Sequence, residues 1–141
     1  MSRGLTDTQI AGCFNRGLGR ELKVRLIGGA EEPFYEPGSA GRYARIRYTR
    51  DYAASALHEL AHWCIAGTAR RRMSDYGYWY QPPPRTAAQQ AAFLRVEAPV
   101  QALEARLAAA CGLTFSVSMD DLKGSTAAFE ALRAEVAGHL S

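Results

Sequence analysis

Hydrophobic residues recur along this chain with two different periods, and the change from one to the other marks out its elements. Ile10, Phe14 and Leu18 lie four residues apart, one face of a helix, and Thr6 stands where a hydroxyl caps its start. Gly17 and Gly19 are expected to fray its end. From Lys23 to Ile27 the period drops to two, which predicts a half-buried strand that stops at Gly28-Gly29. Residues 30–41 hold two prolines and two glycines and read as a loop with a short Phe34-Tyr35 strand inside it. Arg42 to Tyr48 alternates again and predicts a further strand.

The helical period returns from Asp51 to Ala66, with Gly67 placed to end the segment. Nearly every residue here is apolar or small, the mark of a helix buried on all sides. An aromatic run, Asp75-Tyr-Gly-Tyr-Trp-Tyr80, has strand propensity and closes at Gln81-Pro-Pro-Pro84. Thr86 and Gln89 form a capping pair for a helix running to about Glu97. Pro99 then opens a separate helix, with Leu103 and Leu107 on one face and an end near Cys111-Gly112. Leu113 to Val117 alternates as a short strand, and Thr126 to Leu140 forms a terminal helix through Phe129, Leu132 and Val136. Strands early and helices late predict an α+β fold: one domain over residues 1–141, with a small mixed or antiparallel sheet packed on helices.

Composition narrows the class without naming a function. With 48% hydrophobic and 22% charged residues the chain is globular, and a net charge of +3 is too small to announce a nucleic-acid binder. Three scattered cysteines make no disulfide framework and no C-x-x-C pair. No apolar leader opens the sequence and no stretch is long enough to span a membrane, so a cytoplasmic protein is expected.

The chemistry concentrates in His58-Glu59-Leu60-Ala61-His62, an H-E-x-x-H motif. Residues four apart on a helix sit one turn above each other, so two imidazoles can reach one metal ion. Glu59 is rotated by about 100° from His58 and stands beside such an ion as a neighbouring acid or a general base. Three ionisable groups in an apolar helix are costly unless a cation compensates them. The arrangement resembles a zincin-like buried metal-binding helix.

A third ligand must come from elsewhere, and the candidates are Asp75, Glu97, Glu104, Asp120 and Asp121. Spacing favours Glu97, at the end of a capped helix. Glu104 stays open, although an exposed pairing with Arg106 would account for it equally. Cys64, two residues from His62, points to the other side of the helix, and His139 reads as a surface residue. Trp63 reads as core. The same His, His, carboxylate set serves zinc hydrolases and non-haem iron oxygenases alike, so ligand type leaves the metal and the reaction undecided.

The surrounding residues narrow this. Ala53-Ala-Ser-Ala-Leu-His-Glu-Leu-Ala-His-Trp-Cys-Ile-Ala-Gly67 resembles the metal helix of the bacterial elongation factor P hydroxylases. So do Ala69-Arg-Arg-Arg72, the aromatic run that follows, and Gln90-x-x-Phe93-x-x-Val96-Glu97 with Pro99-Val-Gln-Ala-Leu103. The resemblance extends from about Leu22 into the last helix.

It implies O2-dependent hydroxylation of the lysine of elongation factor P that has already received a β-lysyl group. It also implies a non-haem metal, taken to be Fe(II), with zinc or another divalent ion able to occupy the same ligands. Carried onto this chain, the ligands are His58, His62 and Glu97, with Glu59 as the adjacent acid. Tyr76, Tyr78 and Tyr80 share one side of the aromatic strand and Trp79 with Gly77 the other, so one of these two sets could line the path of a lysine chain. Arg42 to Arg72 holds seven arginines against two acids, and Arg70, Arg71 and Arg72 could steer an acidic protein partner. Neither a nucleic acid nor a membrane is expected as a direct partner. Two competing readings are a small zinc peptidase and a metal-stapled module that binds a translation factor.

Overall fold

The computed structural model describes residues 4–72, 86–117 and 126–140. Helix α1, Asp7–Arg16, starts at Thr6 as expected: the Thr6 hydroxyl accepts the Gln9 amide at 3.2 Å while the Gln9 side chain takes the Thr6 amide at 2.9 Å. Gly17 caps its end, but the chain then forms a short helix, α2, Leu18–Leu22. Leu18 therefore leaves the buried face of α1 and is exposed, contrary to the four-residue spacing.

Three strands follow: β1 (Val24–Ala30), β2 (Phe34–Glu36) and β3 (Ala44–Thr49). They pair in the order β1-β3-β2, with β1 parallel and β2 antiparallel to β3, so the sheet is mixed. Two glycines were expected to stop β1. Instead they carry it through a register shift between Ile27 and Ala30. The Tyr48 ring presses on Gly28 so closely that a Cβ there would lie 2.6 Å from the ring, and Gly29 has a φ of +91°. Here glycine serves a bulge and a close approach rather than a turn. Asn15 closes the outer edge of β1, its side chain accepting the Leu26 amide at 2.8 Å and donating to the Leu26 carbonyl at 3.1 Å.

Alternation sets the buried face. Ala44, Ile46 and Tyr48 of β3 join Val24 and Leu26 of β1 and Tyr35 of β2. Ile10 and Phe14 of α1 cover this face together with Ala56, Leu57, Leu60 and Trp63 of helix α3, Ala53–Arg70. The expected burial of α3 on all sides holds from Ala56 to Trp63 except at the half-buried His58, and it fails at the exposed Cys64 and Ile65. Gly67 breaks the helical backbone with φ 83° and ψ 168°, and one further turn follows it.

The largest departure from the sequence pattern is helix α4, Ala87–Ala110, a single 24-residue helix with Pro99 inside it. An interior proline costs about 3 kcal/mol in helix propensity. Tertiary packing outweighs that here, because Glu97, Ala98, Val100, Gln101, Ala102 and Glu104 are buried on both sides of Pro99. Ala98 and Ala102 form a second, smaller core with Leu132 and Val136 of helix α5, Thr126–Leu140. Residues 113–117 form no strand, yet Leu113, Phe115 and Val117 are half-buried in alternation with exposed neighbours. Phe115 packs against both cores. The result is an α+β fold, and among the described residues no helix is long and apolar enough to cross a membrane.

Candidate metal centre

The site lies where α3 packs against α4. Leu57, Leu60 and Trp63 turn α3 toward the sheet-side core, and helical geometry leaves His58 and His62 stacked one turn apart on another face. Their rings meet edge to face with centroids 4.7 Å apart. His62 is buried, whereas the His58 side chain keeps 24% of its exposure, so the pair reaches solvent on the His58 side.

Glu97 of α4 faces both rings. One carboxylate oxygen lies 3.3 Å from His58 Nε2, the other lies 3.4 Å from His62 Nε2, and the two Nε2 atoms are 3.1 Å apart. These three residues offer donor atoms that all fall within 4.8 Å of one another. Ligand bonds of about 2.0–2.2 Å put neighbouring donors roughly 2.9–3.5 Å apart, from octahedral to tetrahedral angles. The donor set therefore fits a divalent cation in both chemistry and spacing.

The charges agree with a cation at this point. Burial works to lower the proton affinity of the His58 imidazole, but hydrogen bonds and charge from Glu104 and Glu97 carry it well above the ordinary histidine range. Burial works to raise that of Glu97, yet the two histidines hold its carboxyl far below the usual carboxylate range. The carboxylate is thus an anion buried beside two imidazoles, where either a proton on His58 or a divalent cation supplies the compensating charge.

Glu104 is not the exposed partner of Arg106 that sequence alone allowed. It is buried, and its carboxylate lies 2.6 Å from His58 Nδ1. It sits on the opposite edge of the imidazole from the nitrogen facing Glu97, so it cannot share that centre as a ligand. Arg106 instead donates to the His139 carbonyl at 3.4 Å, and His139 is exposed. Gln101 is wholly buried and its amide donates to Glu97 at 3.1 Å.

Sequence reasoning left Glu104 open only as a ligand or a partner of Arg106 and gave Gln101 no role, although the signal for both was present. Glu97, Gln101 and Glu104 fall at i, i+4 and i+7, one stripe of a helix. Splitting that helix at Pro99 hid the stripe.

Glu59 follows His58 on α3 and is buried. Arg71, just beyond α3, turns its guanidinium back over the Trp63 ring at 3.9 Å and donates to the Trp63 and Cys64 carbonyls. Arg72 is exposed. Arg70 ends α3, but its side chain lies outside what the structure describes, as do Asp75, Tyr76, Tyr78, Tyr80, Asp120 and Asp121.

Comparison with known proteins gives this geometry a context. The sequence pattern that defines the elongation factor P hydroxylases matches residues 13–141. A Haemophilus influenzae protein named elongation factor P lysine hydroxylase is 42% identical over 117 residues, covering 82% of this chain and 66% of the relative. The chain thus spans a little under two thirds of that relative's length. The match includes the whole of α3, α4 and α5, and the chain belongs to the elongation factor P hydroxylase family.

Proposed function

We propose that this protein is a metal-dependent hydroxylase of the β-lysylated lysine of elongation factor P, working in the cytoplasm. The observation that carries the reading is the convergence of His58, His62 and Glu97 at mutual distances suited to one divalent ion, in a chain of this family. These three residues would hold the ion, and two imidazoles with one carboxylate are the ligand set of non-haem Fe(II) sites with open positions. When bound, Fe(II) would supply the activation of O2 that an aliphatic C–H bond requires.

The chain's own residues do the rest. The burial of His62 and Glu97 limits water on that side of the site. The partial exposure of His58 marks the side from which a long, extended lysine chain can approach. Glu59, buried one residue from His58, stands as the acid available to a proton at the site. Tyr76, Tyr78 and Tyr80 line the path of the substrate chain in this reading, and Arg70, Arg71 and Arg72 steer an acidic partner. Arg72, exposed at the end of α3, is free to meet a partner, whereas Arg71 serves its own helix.

The direct test incubates the Fe(II)-loaded protein with β-lysylated elongation factor P under O2 and weighs the product. A gain of one oxygen atom, lost in His58→Ala, supports the hydroxylase. Cleavage of the backbone would support a zinc peptidase, and tight binding without chemistry would support a metal-stapled binding module. Arg72→Ala should weaken the complex more at low than at high ionic strength. Equal affinity at both would remove the steering role and leave the metal assignment standing.

A further inference from the structure

The buried polar stripe Glu97–Gln101–Glu104 on α4 does more than supply one carboxylate. We propose that Gln101 and Glu104 are positioning residues for a metal ion: Glu104 sets the His58 ring and Gln101 sets the Glu97 carboxylate. The proposal rests on the metal reading above.

Glu104 accepts at His58 Nδ1, at 2.6 Å, from the ring edge opposite the site. A neutral imidazole carries one proton, and a carboxylate this close to Nδ1 keeps it there, leaving a bare lone pair on Nε2 where a metal needs it. The negative charge also makes that lone pair a stronger donor. On the other ligand, the Gln101 amide donates to the Glu97 oxygen that faces His58, at 3.1 Å, while the second oxygen faces His62. A carboxylate anchored through one oxygen by a wholly buried side chain has little freedom to rotate.

Both residues are buried and polar in the middle of α4. Apolar side chains there would cost less to bury, so their polar character needs a reason. Their spacing supplies one. They lie one and two turns along from Glu97, and each reaches one of the groups that converge on the candidate ion.

The test titrates the full-length protein with Co(II), following its visible absorption, whose intensity and band positions report ligand geometry. Glu104→Met removes the acceptor at similar length, and Glu104→Gln restores a neutral acceptor. Gln101→Met removes the donor to Glu97. Glu104→Met is expected to weaken Co(II) binding by about 10- to 100-fold and to alter the spectrum. Glu104→Gln should recover most of that loss, and Gln101→Met should lose about 10-fold.

A purely structural role would lower the thermal midpoint of the metal-free protein and leave affinity and spectrum of the folded protein unchanged. That result overturns the proposal. Should Glu104→Met lose its secondary structure, Gln101→Met decides by the same measures. If the wild-type protein fails to bind Co(II), the metal reading and this proposal fall together. If it binds tightly and all three variants match it within about twofold, the proposal falls alone.

Discussion

The two helices that form the metal centre are held in place by different means. Helix α3 lies on the larger core, where Leu57, Leu60 and Trp63 pack against Phe14 of α1 and the sheet residues Leu26, Tyr35, Ile46 and Tyr48. Helix α4 lies mostly on a small core of alanines with Leu132 and Val136, and its face toward α3 is polar. The α3 backbone that carries the two imidazoles is thus fixed by apolar burial that is indifferent to any ion. The carboxylate is held by Gln101 on its own helix and by the two imidazoles across from it, polar contacts whose strength depends on positive charge between the helices. The metal-free protein should therefore be firm on the α3 side and loose on the α4 side, with bound metal closing that difference.

The largest effect falls on the donors themselves. Replacing His58, His62 or Glu97 by Ala should weaken divalent metal binding by more than about 100-fold, beyond the range that supporting residues reach. Metal titration checks this. A single variant that still bound within 10-fold of wild type would show that the three donors do not act as one site. The effect on folding should differ in cause between the helices. Glu97→Ala removes an anion that both imidazoles stabilise and should lower the thermal midpoint of the metal-free protein through lost charge pairing, whereas His62→Ala should lower it through the space it opens in a buried turn.

The next comparison moves into the two cores. Leu26→Ala in the sheet and Leu132→Ala under α4 each remove a side chain almost without exposure, and each should cost about 2–5 kcal/mol in denaturant unfolding. Metal affinity separates them. Leu132→Ala should weaken binding by several-fold because α4 carries Glu97, while Leu26→Ala should leave the folded protein's affinity unchanged. Equal losses in both variants would mean that the site is held by the fold as a whole rather than by α4 in particular.

The same contrast explains what could be read from the sequence. The α3 half was legible because everything it needs is local: two histidines one turn apart, an apolar surround, and a glycine that breaks the helix with a positive φ. The strands were legible for the same reason, their alternation reappearing as burial in β3. The errors came where a residue has two physical uses. Gly28-Gly29 signals a turn, but here it makes room for the Tyr48 ring and continues the strand. Pro99 signals a helix start, but burial on both sides of it holds one continuous helix.

Residues 113–117 keep the alternation of a strand without becoming one. Pattern reports which side chains are buried, and it does not report whether a neighbouring backbone is present to pair with. Glu97 was reachable through its spacing and the family resemblance. The parts played by Gln101 and Glu104 depend on which groups face them from α3, a relation that only the folded chain creates.

The end of α3 offers the smallest and cleanest test of the asymmetry. Arg71 donates from Nε to the Trp63 carbonyl at 2.9 Å and from Nη2 to the Cys64 carbonyl at 3.2 Å, and its guanidinium covers the Trp63 ring at 3.9 Å. Its own carbonyl accepts the Tyr35 hydroxyl at 2.6 Å. Carbonyls in the last turn before a helix break need donors from outside the helix, and a guanidinium supplies several in one plane. Removing the side chain loses a partly exposed cation–π contact and these hydrogen bonds, while the Tyr35 latch to the backbone survives. Arg71→Ala should therefore cost about 1–2 kcal/mol of stability. Arg71→Lys should recover less than half of it, because an ammonium cannot stack and reach both carbonyls. Neither change should move metal affinity by more than about twofold, since the large core holds His58 and His62 in place without help from the helix end. If Arg71→Ala weakened metal binding as much as Leu132→Ala, α3 would be no firmer than α4, and the division of labour between the two helices would have to be abandoned.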